Sequence, residues 1–262
     1  ALAGFARQGK PFSRAAWSYE LARLRRFEKR VAGQADHFWC ISENDRDEYH
    51  RMLGVRADGI LGIYLDIDRF QGIPPGNPKT VVHIGRIDLR KSRGMDRFIR
   101  DVWPAVRRVQ PDARLVLGGA GTEKYDWPGA GIQGLGFVDD ERDVLGQGMI
   151  FINPQVNAAG IQLKCLVAML SGRLLISTAA GARGIAGSHP THFLAADNPE
   201  AMAQMILDAV NDPWKSREIA IRGQEIARET YNREKFLRDA HVLLETIHRE
   251  ADNGKNSFRR RG

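Results

Sequence analysis

The sequence predicts an α/β fold in which a parallel sheet carries helices on both faces. Short aliphatic runs at 80–84, 115–117, 150–152 and 174–177 alternate with segments of helical period, the pattern of successive strand–helix–strand units. Between two of those runs, the segment 160–171 is apolar almost all round, so as a helix it can only be buried. Gly160 opens it and Gly172 stops it.

The elements follow in order. Ser13 caps a helix reaching to about Gly33, with Trp17, Leu21, Leu24 and Val31 on one stripe and Arg23, Arg26 and Arg30 on another. Residues 37–41 read as a short strand, and Ser42 with Asp45 begins a helix that Gly54 ends. A strand at 60–64 precedes a proline-containing connection over 66–79, whose run GIPPGNPK is the best linker in the chain. Beyond it come strand 80–84, helix 95–109, strand 115–117, a strand near Ile132, helix 141–145, strand 150–152, helix 160–171 and strand 174–177. The rest reads as helical, with Asn232 capping a last helix striped by Phe236, Ala240, Leu243 and Ile247. From Ala251 the polar, arginine-ended tail predicts disorder.

A hydrophobic share of 43% with 27% charged residues excludes a chain disordered throughout. The net charge of +7 is mostly local. Arg7, Lys10, Arg14, Arg23, Arg25, Arg26, Lys29 and Arg30 face only Glu20 and Glu28 over the same stretch. Basicity gathered on one helix fits an anionic membrane surface or another anionic partner rather than nucleic acid, with a solvated face as the plainer reading. Cys40 and Cys165 lie in apolar stretches and read as small buried hydrophobes of a reducing, cytoplasmic compartment. No run approaches the ~18 apolar residues a membrane span needs, and the opening ALAGFARQGK lacks a signal-peptide core. Alanine at the first position fits the trailing part of a longer protein.

Chemistry points to the strand ends. The run HIGRIDLRKSRG puts Gly85, Arg86 and Lys91 at the carboxyl edge of the first strand of the alternation, where the 160s helix also begins. Two cations and a helix start, with its free N–H groups and positive dipole end, suit a diphosphate. Taken singly, each cation is equally well a solvated loop residue. The run LGGAG, which holds Gly119, allows close backbone approach but has neither GxGxxG spacing nor a lysine–serine pair. In GLGFVDD the aspartates read as helix caps. His83 reads as a satisfied core residue rather than a base, and His189 and His192 lack the neighbours of a metal site. No serine-centred nucleophile elbow is present.

Taken together and in order, these pieces resemble the C-terminal half of a GT-B glycosyltransferase of the family 4 type. The matching segments are RFEKRVAGQADHFWCISENDRDEY, LDIDRF, VVHIGRIDLRKSRGMDRFI, PDARLVLGGAG, IQGLGFVDD and INPQVNAAGIQLKCLVAMLSGRLLIST. The run AAGIQLKCLVAM is especially similar to sugar transferases of exopolysaccharide and exosortase systems. The resemblance implies two Rossmann-like domains and a nucleotide-sugar donor held mainly by the second. It divides the chain into 1–66, the closing part of an acceptor-side domain; 67–229, the donor-binding domain; 230–250, a helix crossing back to the first; and 251–262, the basic tail. It assigns Arg86 and Lys91 to the donor diphosphate, with Gly160, Ile161 and Gln162 presenting backbone N–H groups to it. Phe137 and Val138 fall where the base is held, and Gly85, Gly119, Lys164 and Val167 complete the donor contacts.

Three departures from the family pattern stand out. Ala159 and Val167 occupy positions where the family has glutamates, and Tyr64 replaces a glycine in YLD. Lacking an acceptor at Val167, a ribose diol left unpaired costs roughly 1–3 kcal/mol. The strands that would carry the acceptor site and a catalytic histidine are missing from the segment in hand. The implied activity is transfer of a hexose, with retention, from a nucleotide-sugar to a cell-surface glycan or lipid-linked acceptor, without metal or other cofactor, at the inner membrane face. The alternative is a catalytically impaired module that binds a nucleotide, a glycan or a partner protein. A nucleotide-sugar epimerase would need acidic and histidine residues that the sequence does not reveal.

Overall fold

The computed structural model describes residues 11–87, 92–157 and 160–259, with side chains at 11–14 and 250–259 outside that description. Lys91, Ala159, Arg7 and Lys10 therefore lie outside the described residues, as does the side chain of Arg14. The chain divides into two units, one running to Leu65 and resuming at Tyr231, the other Asp66–Thr230.

The first unit opens with α1 (Pro11–Gln34), β1 (Trp39–Cys40), α2 (Glu43–Leu53) and β2 (Gly59–Ile60). The Ser42 hydroxyl accepts the Asp45 N–H at 3.1 Å and donates to its carboxylate at 2.7 Å, fixing the start of α2. Gly54 ends that helix in the left-handed region at φ 68°. The strands at 37–41 and 60–64 are shorter than the sequence predicts. Only two residue pairs, Trp39 with Gly59 and Cys40 with Ile60, form a parallel ladder, because β1 gives way to the turn into α2 after Cys40.

In the second unit six strands lie in the order β5–β4–β3–β6–β7–β8, all parallel: β3 (Asn77–Ile84), β4 (Arg114–Gly118), β5 (Ile132–Gly134), β6 (Gly148–Asn153), β7 (Leu174–Ser177) and β8 (Leu194–Ala195). This is a doubly wound sheet. The chain winds outward from β3 through β4 to β5, then returns to β6 on the other side of β3 and winds the opposite way, so the switch point lies between β3 and β6.

On one face Val81, Leu115, Leu117, Ile150, Ile152, Leu174 and Ile176 pack with Met95, Phe98, Trp103 and Ile206. The other face is covered by α5 (Glu141–Leu145) and α6 (Leu163–Leu170), with Val144 close against Gly118. The predicted helix over 95–109 is three pieces: α3 (Ser92–Arg97), a π-helical stretch Phe98–Val102 and α4 (Trp103–Val109). Pro104 explains the widening, since it offers no N–H to the carbonyl one turn earlier. A further difference bears on the site. α6 starts at Leu163 rather than at 160, because Gly160 is left-handed at φ 68° and Gln162 is extended at φ −89°, ψ 99°. Residues 160–162 form the turn into the helix.

From Cys165 to Leu170 every residue of α6 is buried, as its composition requires, and α8 (Pro213–Thr230), which follows α7 (Pro199–Asn211), packs on it through Gly223 and Gln224. The last helix, α9 (Arg233–Arg259), belongs to the first unit, where Phe236 meets Tyr64 at 5.0 Å between rings. Asn232 caps it by accepting the Lys235 N–H at 2.7 Å. The helix continues past Ala251, where the sequence predicts disorder, because a started ladder extends one hydrogen bond per residue and no proline interrupts it. Among the described residues no helix is long and apolar enough to cross a membrane.

Candidate functional site at the switch point

In a doubly wound sheet the crevice beyond the strand carboxyl ends at the switch point is where neighbouring connections part and leave room for a ligand. Here its walls are the β3 exit, the β4 exit and the turn into α6. The β3 exit runs through Gly85 at φ 143°, whose N–H donates to the Gly118 carbonyl at 2.9 Å. Gly119, at φ 123°, lies so close that an added Cβ would stand 2.6 Å from the Gly85 carbonyl oxygen and 3.2 Å from the Arg86 nitrogen. Only glycine is accommodated at these two positions. The Gly119 N–H in turn donates to the Gly136 carbonyl at 2.6 Å, tying in the loop that carries Phe137 and Val138.

Charge enters from two elements. Arg86 is exposed beside Gly85. Lys164, half-buried on the first turn of α6, places Nζ 3.0 Å from the point where a Gly85 Cβ would stand. Under them lies His83, with 3% of its surface exposed, its Nδ1 at 2.8 Å from the Ile152 carbonyl across the switch point. A carbonyl only accepts, so Nδ1 carries the ring proton and Nε2 keeps its lone pair. Burial, seconded by the Lys164 charge and opposed by the Ile152 hydrogen bond, drives His83 down to about 3, which keeps the ring neutral.

Behind the α6 start, Asn153 is fully buried, with Nδ2 donating to Cys165 Sγ at 3.1 Å and to the Gly181 carbonyl at 3.2 Å. Its Oδ1 is buried without a hydrogen-bond partner. Burial pushes the Cys165 thiol up to about 12 against the pull of Asn153 and Lys164, so this cysteine is inert.

The structure thus brings together Gly85, Arg86, Gly119, Val138 and Lys164. Val138 lies 3.5 Å from the point of an added Gly118 Cβ, while Phe137 is 76% exposed with its ring outside the core. Gly160, Ile161 and Gln162 lead into α6, and Val167 is buried one turn beyond Lys164. Lys91 falls outside the described residues, so the cation the structure sets over Gly85 is Lys164. Sequence reasoning passed over the nearness of His83 to Lys164, which no spacing encodes because it depends on β3 lying beside β6.

Three solved structures share this architecture at low identity. Anabaena HepE in complex with UDP-glucose superposes with a TM-score of 0.68 at 18% identity, covering 85% of this chain and 67% of that one. S. aureus TarM in complex with Fondaparinux, alpha-GlcNAc-glycerol and UDP gives 0.70 at 18%, covering 83% and 45%. The sucrose-phosphate synthase of Thermosynechococcus elongatus gives 0.68 at 18%, covering 86% and 62%. The fold is therefore α/β of the GT-B type. Among curated proteins, an uncharacterized 44.6 kDa protein in the cps region of Klebsiella pneumoniae is 21% identical over 238 residues. The match takes in 86% of this chain and 60% of that relative's length. A family model described as Glycosyl transferases group 1 matches residues 78–212, just over half of the 262 residues, and the chain belongs to that family.

Proposed function

We propose that this chain supplies the donor-binding part of a glycosyltransferase that moves a hexose, with retention, from a nucleotide-sugar to a cell-surface glycan or lipid-linked acceptor. The observation that carries the reading is the convergence of Arg86 and Lys164 on the glycine-rimmed crevice of Gly85 and Gly119 at the switch point. Cations there, with the N–H groups of the turn at Gly160, Ile161 and Gln162, bind a diphosphate without a metal. Lys91 joins them from the β3–α3 connection. When the sugar C1–O bond breaks, its electron pair goes to the diphosphate, and these groups stabilise the growing charge. The acceptor oxygen bonds to C1 on the face the diphosphate leaves, and its proton passes to the departing phosphate. Phe137 and Val138 flank the base.

The acceptor is lipid-linked in this reading because α1 suits an anionic membrane surface at the cytoplasmic face. It exposes Tyr19, Leu24, Phe27 and Val31, with Arg23 and Arg30 stacked over Tyr19 and Phe27. The cps-region relative supports a role in surface polysaccharide.

Calorimetric titration with UDP, GDP and their sugars tests the donor reading. Micromolar binding of one diphosphate, weaker for its nucleoside, is the expected result; binding of none ends the reading. One observation favours the impaired-module alternative: Val167 is buried and apolar where the family pattern has a ribose-binding glutamate. Binding without turnover or donor hydrolysis would select it.

A further inference from the structure

We propose that His83 is a positioning residue for Lys164, presenting Nε2 to the ammonium beside the slot that Gly85 leaves open. The inference rests on the donor-site reading and deepens it by naming what holds one of the cations in place.

The placement of the ring comes first. His83 sits near the end of β3, and its Nδ1–H bond to Ile152 on β6 fixes both the tautomer and the ring's orientation. Phe151 lies tilted against it at 5.8 Å between ring centres, and the ring is buried. Anchored at Nδ1, the imidazole has its other nitrogen toward the carboxyl edge. Nε2 stands 3.8 Å from the point where a Gly85 Cβ would be, and the Lys164 Nζ and Cε stand 3.0 and 3.3 Å from that same point. Two groups from different elements thus converge on a spot that glycine alone leaves open.

The chemistry of the pair comes second. A buried imidazole in a strand otherwise made of valine and isoleucine costs desolvation that a leucine or phenylalanine would avoid. What it offers in return is a lone pair. A neutral ring next to an ammonium accepts from it, whereas an imidazolium would repel it, and the burial and the adjacent lysine both hold the ring neutral. Lysine otherwise carries about 2 kcal/mol of rotamer entropy to lose on meeting an anion. A lone pair on one side and an open glycine on the other confine the head group before the ligand arrives, which is preorganisation.

The test compares His83→Phe, which keeps the ring shape without the lone pair, with His83→Gln, which retains both a donor for Ile152 and an acceptor. UDP, GDP, uridine and guanosine are titrated by calorimetry at neutral pH. His83→Phe is expected to weaken diphosphate binding about three- to tenfold with nucleoside binding unchanged, His83→Gln to restore it to within about twofold, and Lys164→Met to cost about tenfold or more. The His83→Phe/Lys164→Met double variant should bind no more weakly than Lys164→Met alone. Additive losses, or full affinity in His83→Phe, would overturn the proposal. A second readout needs no nucleotide. In proteins labelled with nitrogen-15 at lysine, the Lys164 Nζ signal should shift, and its protons exchange faster, in His83→Phe but not in His83→Gln; an unmoved signal overturns the proposal. Should the wild type bind neither diphosphate, the donor-site reading fails while the signal still decides whether His83 positions Lys164. His83→Leu replaces His83→Phe if the latter does not fold.

Discussion

Two basic side chains at opposite ends of the same sheet show what a cation can be used for. Arg173 precedes β7 at the amino edge and is 2% exposed. Its Nε and one terminal nitrogen donate to the Ser171 carbonyl at 3.0 and 2.9 Å, and the other terminal nitrogen to Leu145 and Gly148 at 3.0 and 3.1 Å. It joins the ends of α5 and α6 to the start of β6, where carbonyls and helix C-termini offset its charge. Burial, with Arg217 adding to it, lowers it to about 10, so it stays charged at neutral pH. Lys164, on the carboxyl edge, stands half-buried over a glycine instead. The donors of Arg173 are turned inward onto backbone. Lys164 and the exposed Arg86 line a crevice, so an outside anion can use them.

If that contrast holds, removing the two kinds of cation must hurt different properties. Arg173→Met leaves the Leu145, Gly148 and Ser171 carbonyls short of donors and should lower unfolding stability by about 3 kcal/mol or more, read by urea denaturation, with nucleotide affinity unchanged at temperatures where the variant is folded. A loss of affinity without a loss of stability would reverse the assignment.

His83 gives the next largest effect. Its folded value near 3 lies below the ordinary 6.5, so between those values the unfolded chain binds the extra proton. Its contribution is present above pH 6.5 and is lost as pH falls toward 3. The wild type should therefore lose stability more steeply than His83→Gln over that range, by on the order of 1 kcal/mol per pH unit. Parallel pH profiles would show that the ring titrates in the folded protein as it does in water.

Arg86→Ala should weaken diphosphate binding by about 1–3 kcal/mol while sparing the nucleoside and the melting temperature. Equal loss for both ligands in calorimetry would move Arg86 away from the phosphates. The smallest effect belongs to Val167→Glu, expected to tighten nucleoside binding by about 1 kcal/mol if the new carboxylate meets the ribose. Unchanged affinity would mean that the carboxylate pairs with Lys164 one turn away instead.

Much of the second unit was legible before any coordinates. Apolar runs marked β3, β4, β6 and β7, with β7 found at its observed limits and the others trimmed by a few residues, because β-ladders extend into polar ends such as Asn77 and Asn153. Caps were readable too, since Ser42, Gly54 and Asn232 act on atoms only a few residues away. The beginning of α6 was misplaced because the glycine at 160 resembles a helix opening, whereas its left-handed backbone ends the preceding turn. β8 went unnoticed: two half-buried residues carry no period. The π-helical stretch was hidden because Pro104 reads as a helix start as easily as a widening.

Periodicity, caps and composition settle which stretches are strands, which helix is buried and that charge gathers at β3, because each depends on neighbours within a few residues. Strand order settles the rest. Gly85 and Lys164 share one point in space, and His83 reaches Ile152, only because β6 docks beside β3, a choice made by packing between segments far apart in the chain. The crevice is a property of that docking, and no residue along its rim announces it alone.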